Sequence, residues 1–225
     1  MKKELADKFR IYFVTDRKIA KQPFLKVIKE ALKGGVKAIQ LREKDLSSKE
    51  MYELAKKIRK ITQENNALLI INDRIDIALA TGADGVHLGW QSMPLREARR
   101  VLGGKKLIGV STHSLKDALF AQKNSADFIT FGNIYPAPSK QGVTGFKGPE
   151  AIKEIRKKIK IPLIAIGGIK EENIKDVILN GADGVAVISA IMGAEKPYEA
   201  AKGLVCKLES LNVENQDLKL KSKNL

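Results

Sequence analysis

A single cysteine, Cys206, leaves this chain without the second thiol an internal disulfide needs. It falls in the apolar pattern of the last helix and reads as buried filler rather than as a nucleophile. No apolar stretch approaches the roughly 20 residues that span a bilayer, and Met1-Lys2-Lys3-Glu4 leads into no signal-peptide core. The expectation is a soluble cytoplasmic protein with no membrane partner. Aromatic residues are only 5% of the chain, and none interleave with arginine as a base-stacking platform requires, which argues against a nucleic-acid partner. Acidic residues are outnumbered, 26 against 41 Lys and Arg, for a net charge of +15. Much of that excess reads as solvated helix face, as in Lys56-Lys57-Ile58-Arg59-Lys60 and Lys153-Glu154-Ile155-Arg156-Lys157-Lys158, a pattern that suits a heat-adapted source. It also favours anionic ligands, phosphorylated small molecules among them.

What is abundant is apolar sequence, 44% of the 225 residues, enough for one large core, and nothing divides it into two. Short apolar runs follow small-residue turns at Gly34-Gly35-Val36-Lys37-Ala38-Ile39, Gly82-Ala83-Asp84-Gly85-Val86, Ser125-Ala126-Asp127-Phe128-Ile129 and Gly181-Ala182-Asp183-Gly184-Val185. Between them lie Ile11–Val14, Leu68–Ile71, Leu107–Val110 and Leu163–Ile166, too short for helices and rich in β-branched residues. Eight strands alternating with helices predict a single (β/α)8 TIM barrel of α/β class. An open doubly wound sheet is the competing architecture, but no Gly-x-Gly-x-x-Gly follows the first strand. The last helix is expected to end near Leu211, so that residues 1–211 form the barrel and Asn212–Leu225 a frayed polar tail.

Parallel barrels keep their chemistry at the carboxyl ends of the strands, and polar residues collect there. The period of two places Gln40, Arg42 and Lys44 on one face of the second strand, directed at the barrel interior and mouth. Two cations so placed require an anion, either a ligand or a structural partner such as Glu43 or Asp45. The third strand ends in Asn72 and Asp73, and Asp73 is open to two readings, a rim carboxylate or the cap of the next helix. His87 reads as a buried, hydrogen-bonded structural histidine. After the fifth strand Ser114 suits a helix cap, leaving Ser111 and His113 for a ligand. The connection Gly132–Gly148 is the longest irregular segment and suits a loop closing over substrate with Lys140 at its tip. Gly167-Gly168 and Ser189, after strands seven and eight, suit a phosphate cradle.

Taken together, Gln40-Leu-Arg-Glu-Lys44, Ile71-Asn-Asp-Arg74, Gly85-Val-His-Leu-Gly89, Gly109-Val-Ser-Thr-His-Ser114, Gly132-Asn-Ile-Tyr-Pro136 with Ser139-Lys140, Ile166-Gly-Gly-Ile169 and Gly184-Val-Ala-Val-Ile-Ser189 resemble the thiamine phosphate synthase family, which includes the thiazole tautomerase TenI. The resemblance runs from about Arg10 to Leu208. It implies a transferase that joins hydroxymethylpyrimidine diphosphate to a thiazole phosphate and releases diphosphate. By the same resemblance Arg42, Lys44, Asn72 and Lys140 hold the diphosphate, Gln40 lies beside the pyrimidine, and Asp73 ligates Mg²⁺. Ser111 lies near the reacting groups, and Gly168 and Ser189 hold the thiazole phosphate.

One position departs from the family's pattern. Its synthases carry Gly-Gln-x-Asp after the His-Leu-Gly strand, with that Asp as a second Mg²⁺ ligand, where this chain has Gly89-Trp90-Gln91-Ser92. The tautomerase branch also lacks the Asp, and its proton transfer would make His113 the acid/base. A non-catalytic barrel binding phosphorylated ligands or RNA is the remaining alternative. Association into a homo-oligomer is left open.

Overall fold

The computed structural model describes residues 2–136 and 145–221. Eight strands, β1 (Ile11–Val14), β2 (Ala38–Leu41), β3 (Leu68–Asn72), β4 (Gly85–Leu88), β5 (Leu107–Thr112), β6 (Phe128–Gly132), β7 (Leu163–Ile166) and β8 (Gly184–Val187), pair in parallel and in chain order. The ring closes where Ile11 meets Val185. The (β/α)8 barrel predicted from the apolar spacing is therefore the fold.

Helix α1 (Lys2–Lys8), which the apolar pattern does not single out, precedes β1. Around the barrel follow α2 (Phe24–Lys33), α3 (Ser48–Glu64), α4 (Ile75–Ala80), α5 (Leu95–Leu102), α6 (Leu115–Lys123), α7 (Glu150–Arg156) and α8 (Ile174–Leu179). A short α9 (Ser189–Met192) and a long α10 (Pro197–Lys221) complete it, α10 packing on α2. The last helix thus continues to Lys221 instead of stopping at Leu211. Cys206 corrects a second expectation, because it is exposed. Ala201, Leu204, Leu208 and Leu211 form the buried stripe of α10, and the 3.6-residue period puts position 206 off that stripe.

Two apolar layers result. The larger lies between strands and helices and is built from outward strand residues such as Phe13, Ile39, Leu69, Ile71, Val86 and Leu163. The smaller fills the barrel with Tyr12, Val14, Ala38, Ile70, Phe128, Ile164 and Ala186. Phe9, following α1, joins this inner layer with its ring 5.0 Å from Tyr12 and 4.1 Å from Phe128. Full burial of each large side chain contributes about 1.5–3 kcal/mol.

The amino ends of the strands share a repeated polar device. Asp84, Asp127 and Asp183 stand just before β4, β6 and β8. Each carboxylate accepts from a backbone N–H of the preceding strand, Leu69 at 2.8 Å, Ile108 at 2.7 Å and Leu163 at 2.8 Å. Each also pairs with an arginine from the helix before that strand, Arg59 at 2.7 Å, Arg99 at 2.5 Å and Arg156 at 2.7 Å. At the corresponding point before β2 the chain has Lys37, which offers no carboxylate; its carbonyl accepts from Leu68 N–H at 2.8 Å and its Nζ donates to the Asn65 carbonyl at 3.5 Å.

The three pairs have side-chain exposures between 18% and 34%, intermediate between surface and buried ion pairs. Asp127→Ala removes an ion pair and leaves the Ile108 N–H without its acceptor, for an expected loss of about 2 kcal/mol. Asp127→Asn, which keeps an oxygen for that N–H, should lose about half as much. Urea unfolding of the three proteins checks the order, and equal losses for Ala and Asn would assign the whole effect to the ion pair.

Candidate active site

At the carboxyl ends of the strands a cavity of about 200 Å³ opens between β2, β3, β5, β7 and β8. Its walls include Gln40, Arg42, Asn72, Ser111, His113, Gly168 and Ser189, so the structure brings together most of the residues singled out by pattern. His87 and Thr130 line it as well, together with Lys170, which the sequence reading passed over. Lys44, three residues beyond the end of β2, is exposed and is not among the lining residues. Lys140 and Ser139 lie outside the described residues, as does the central part of the expected closing loop.

Arg42, the residue after β2, is left for a ligand by a neighbouring network. Glu43, 6% exposed, accepts from the Thr15 hydroxyl at 2.7 Å and from the Arg17 guanidinium at 3.1 Å. Arg17 also holds Asp45 at 2.5 Å and 2.9 Å, and this contact, with a smaller one from Lys18, keeps the Asp45 carboxyl well below the usual carboxylate range. Both acids expected as structural partners for Arg42 and Lys44 are therefore held by Arg17. Thr15 in turn accepts from the Arg42 backbone N–H at 2.9 Å, which fixes the backbone while the Arg42 guanidinium makes no hydrogen bond or ion pair among the described residues.

Deeper inside, the Gln40 amide donates to the Tyr12 hydroxyl at 2.9 Å, fixing an amide that is 3% exposed. Tyr12 is fully buried, and that burial raises its phenol above the ordinary value. His87, also 3% exposed, has Nε2 at 2.9 Å from the Ser111 hydroxyl and 3.4 Å from that of Thr130. Its Nδ1 is buried with no hydrogen-bond partner among the described residues. Burial pushes the imidazole down to about 3, and the nearby Arg42 charge adds to the same direction. Gly109 makes room for this ring, because a Cβ there would lie 2.7 Å from His87 Nδ1 and 2.2 Å from Phe128.

His113 is exposed at the mouth, and its Nδ1 donates to the Gly132 carbonyl at 2.5 Å, while its Nε2 has no hydrogen-bond partner among the described residues. Ser114 caps α6 by accepting from Asp117 N–H, as its position suggested. Across the cavity Gly168 has φ +63°, and a Cβ there would lie 2.3 Å from the Pro136 carbonyl, so only glycine fits this turn. Ser189 opens α9 directly after β8.

Asp73 does not cap α4. The cap position is Arg74, and no side chain caps that end. Instead Asp73 is exposed, with φ +67° and its N–H donating to the His87 carbonyl at 2.9 Å. Its carboxylate makes no hydrogen bond or ion pair among the described residues. At the neighbouring rim position the Ser92 hydroxyl accepts from Gly89 N–H at 2.7 Å. Trp90, between them, is 88% exposed and does not line the cavity.

Tyr12 and Thr130, both supporting the site, were missed because each sits within an apolar strand. The signal for Tyr12 was its phase, two residues before Val14 and facing inward, where a phenol requires a hydrogen-bond partner. Lys170 could have been noticed as a cation two residues after Gly168.

Residues 11–191 match the protein family described as thiamine monophosphate synthase. The thiamine-phosphate synthase of Clostridium acetobutylicum is 49% identical over 195 residues, covering 86% of this chain and 92% of the relative. That of Pyrococcus abyssi is 45% identical over 198 residues, covering 88% and 94%. The solved structure of thiamine phosphate pyrophosphorylase from Pyrococcus furiosus is similar with a TM-score of 0.85 at 40% identity, covering 92% of this chain and 98% of that one.

A histidine near 3 when folded and about 6.5 when unfolded takes up its proton only on unfolding. Stability should therefore fall as pH drops from about 6.5 toward 3, with His87 contributing up to ~1.4 kcal/mol per pH unit. Urea unfolding at pH 6.5, 5.5 and 4.5 should show a shallower decline for His87→Leu than for the parent; parallel declines would contradict the assignment.

Proposed function

The chain belongs to the thiamine monophosphate synthase family, and on that footing we propose that it joins hydroxymethylpyrimidine diphosphate to a thiazole phosphate, giving thiamine phosphate and diphosphate. The observation that carries this reading is Asp73, a carboxylate with no ion pair among the described residues, in a left-handed backbone next to Asn72 in the wall of a cavity that Arg42 also lines. A non-glycine residue in that region costs on the order of 1 kcal/mol, and such conformations gather at ligand sites.

The chemistry needs positive charge more than it needs a base. The bond from the pyrimidine methylene to the diphosphate oxygen breaks, the aminopyrimidine shares the resulting cation, and the thiazole nitrogen lone pair forms the new C–N bond. Charge therefore grows on the departing diphosphate, and preorganised donors facing it lower the barrier. Arg42 and Asn72 offer such donors from the wall, with Lys44 adding charge from beyond β2 and Lys140 assigned to the same anion by the family resemblance. Gln40, held by Tyr12, orients the pyrimidine. Ser111 lies near the reacting groups, and Gly168 with Ser189 holds the thiazole phosphate.

Mg²⁺ keeps several waters and binds proteins through one or two carboxylates together with substrate phosphates. Among the described residues no group of three His, Cys, Asp or Glu could hold a metal unaided. The lone Asp73 carboxylate fits the substrate-assisted mode. Asp73 would hold the ion with diphosphate oxygens and water, and the ion would neutralise charge on the leaving group. Ser92, neutral and already bonded to Gly89 N–H, adds no charge there.

A tautomerase centred on His113 has no evident use for Asp73, and the relatives named as synthases do not favour it. Phosphorylated small molecules are thus the partners in this reading, the cytoplasm is the setting, and nucleic acid has no part. Among the described residues no helix is long and apolar enough to cross a membrane.

Purified protein given both substrates and Mg²⁺ should release diphosphate and form thiamine phosphate, and a chelator should stop it; no product with metal present would refute the proposal. Asp73→Ala should lower kcat/KM by about 100-fold or more with an unchanged unfolding midpoint. Ser92→Asp should reduce the Mg²⁺ concentration needed for half-maximal rate, measured by metal titration of the initial rate.

A further inference from the structure

Among the described residues, His87 is the one buried titratable group in the cavity wall to which the proposed chemistry gives no part. Its surroundings constrain where its ring proton sits. Nδ1 faces a wall made by Gly109, with the Phe128 and Tyr12 rings 5.7 Å and 5.9 Å from the imidazole, and has no hydrogen-bond partner among the described residues. A buried N–H without an acceptor is among the rarest features of folded proteins, whereas an unused lone pair is a smaller loss. The proton therefore belongs on Nε2, which has the Ser111 oxygen at 2.9 Å and the Thr130 oxygen, more weakly, at 3.4 Å.

This choice determines what Ser111 can do. A serine hydroxyl has one proton, and if its oxygen accepts from His87, that proton is left to be donated elsewhere. Ser111 lines the cavity, and its hydroxyl has no other partner among the described residues. The opposite tautomer would take the Ser111 proton into the wall and present only a lone pair to the ligand.

We propose that His87 is a positioning residue which, by donating from Nε2 to Ser111, sets the Ser111 hydroxyl as a hydrogen-bond donor to an acceptor atom of the bound substrate. The identity of that substrate rests on the synthase reading; the direction of the hydrogen bond does not. Thr130, 2% exposed and on the same side of the ring, backs the arrangement from β6.

Two measurements test it. The chain has two histidines, so ¹⁵N-histidine labelling gives two imidazoles, and His113→Gln assigns them. A protonated Nε2 and bare Nδ1 on His87 are expected; a protonated Nδ1 would overturn the proposal whether or not the protein is active. In kinetics, His87→Gln can place its amide N–H near Nε2 and should stay within about threefold of the parent kcat/KM, while His87→Leu should lose about 10- to 100-fold. His87→Leu should add nothing further to Ser111→Ala. Equal losses for Gln and Leu, or losses that multiply in the double variant, would make His87 merely structural. If the parent makes no thiamine phosphate, the synthase reading fails while the labelling still decides the role of His87.

Discussion

The structure depends on three carboxylates at the closed end of the barrel. Asp84, Asp127 and Asp183 each tie a strand N–H to an arginine of the neighbouring helix, so strand position and helix position are set by the same atom. A slip of one residue would turn every inward side chain outward, and these contacts resist it. The register they maintain places Asn72, His87, Ser111 and Thr130 on the inner face, far along the same strands.

Cation use differs between the two ends. Below, Arg59, Arg99 and Arg156 are matched to carboxylates. Above, Arg17 takes both Glu43 and Asp45, and Arg42 faces the cavity without a counterion among the described residues. The net +15 is therefore not uniform in meaning. Most of it is solvated helix surface, and a small part, left unneutralised at the mouth, supplies the field that an anionic ligand would enter.

The barrel was legible because parallel strands buried on both faces are continuous apolar runs bounded by small-residue turns, and this chain repeats that unit with little variation. The rim residues were legible from strand ends and a family pattern together. Other features were not, for physical reasons. Helix α1 has seven residues, too few for a periodic signal, and Phe9, which follows it, is buried against rings distant in sequence. Cys206 looked buried because it stands among apolar neighbours, yet the helical angle carries it outward. Whether Arg42 would pair with Glu43 could not be read locally, since Arg17 arrives from another loop. The left-handed backbone of Asp73 leaves no trace in composition, and Asn-Asp-Arg suits a helix cap equally well until geometry decides.

Trp90 is the chain's single tryptophan and stands 88% exposed in the turn that follows β4. Its emission therefore comes from one place with no background from the core. Whatever covers this indole dehydrates it and shifts its light toward the blue, so the protein carries an optical reporter of contact at this turn that requires no label.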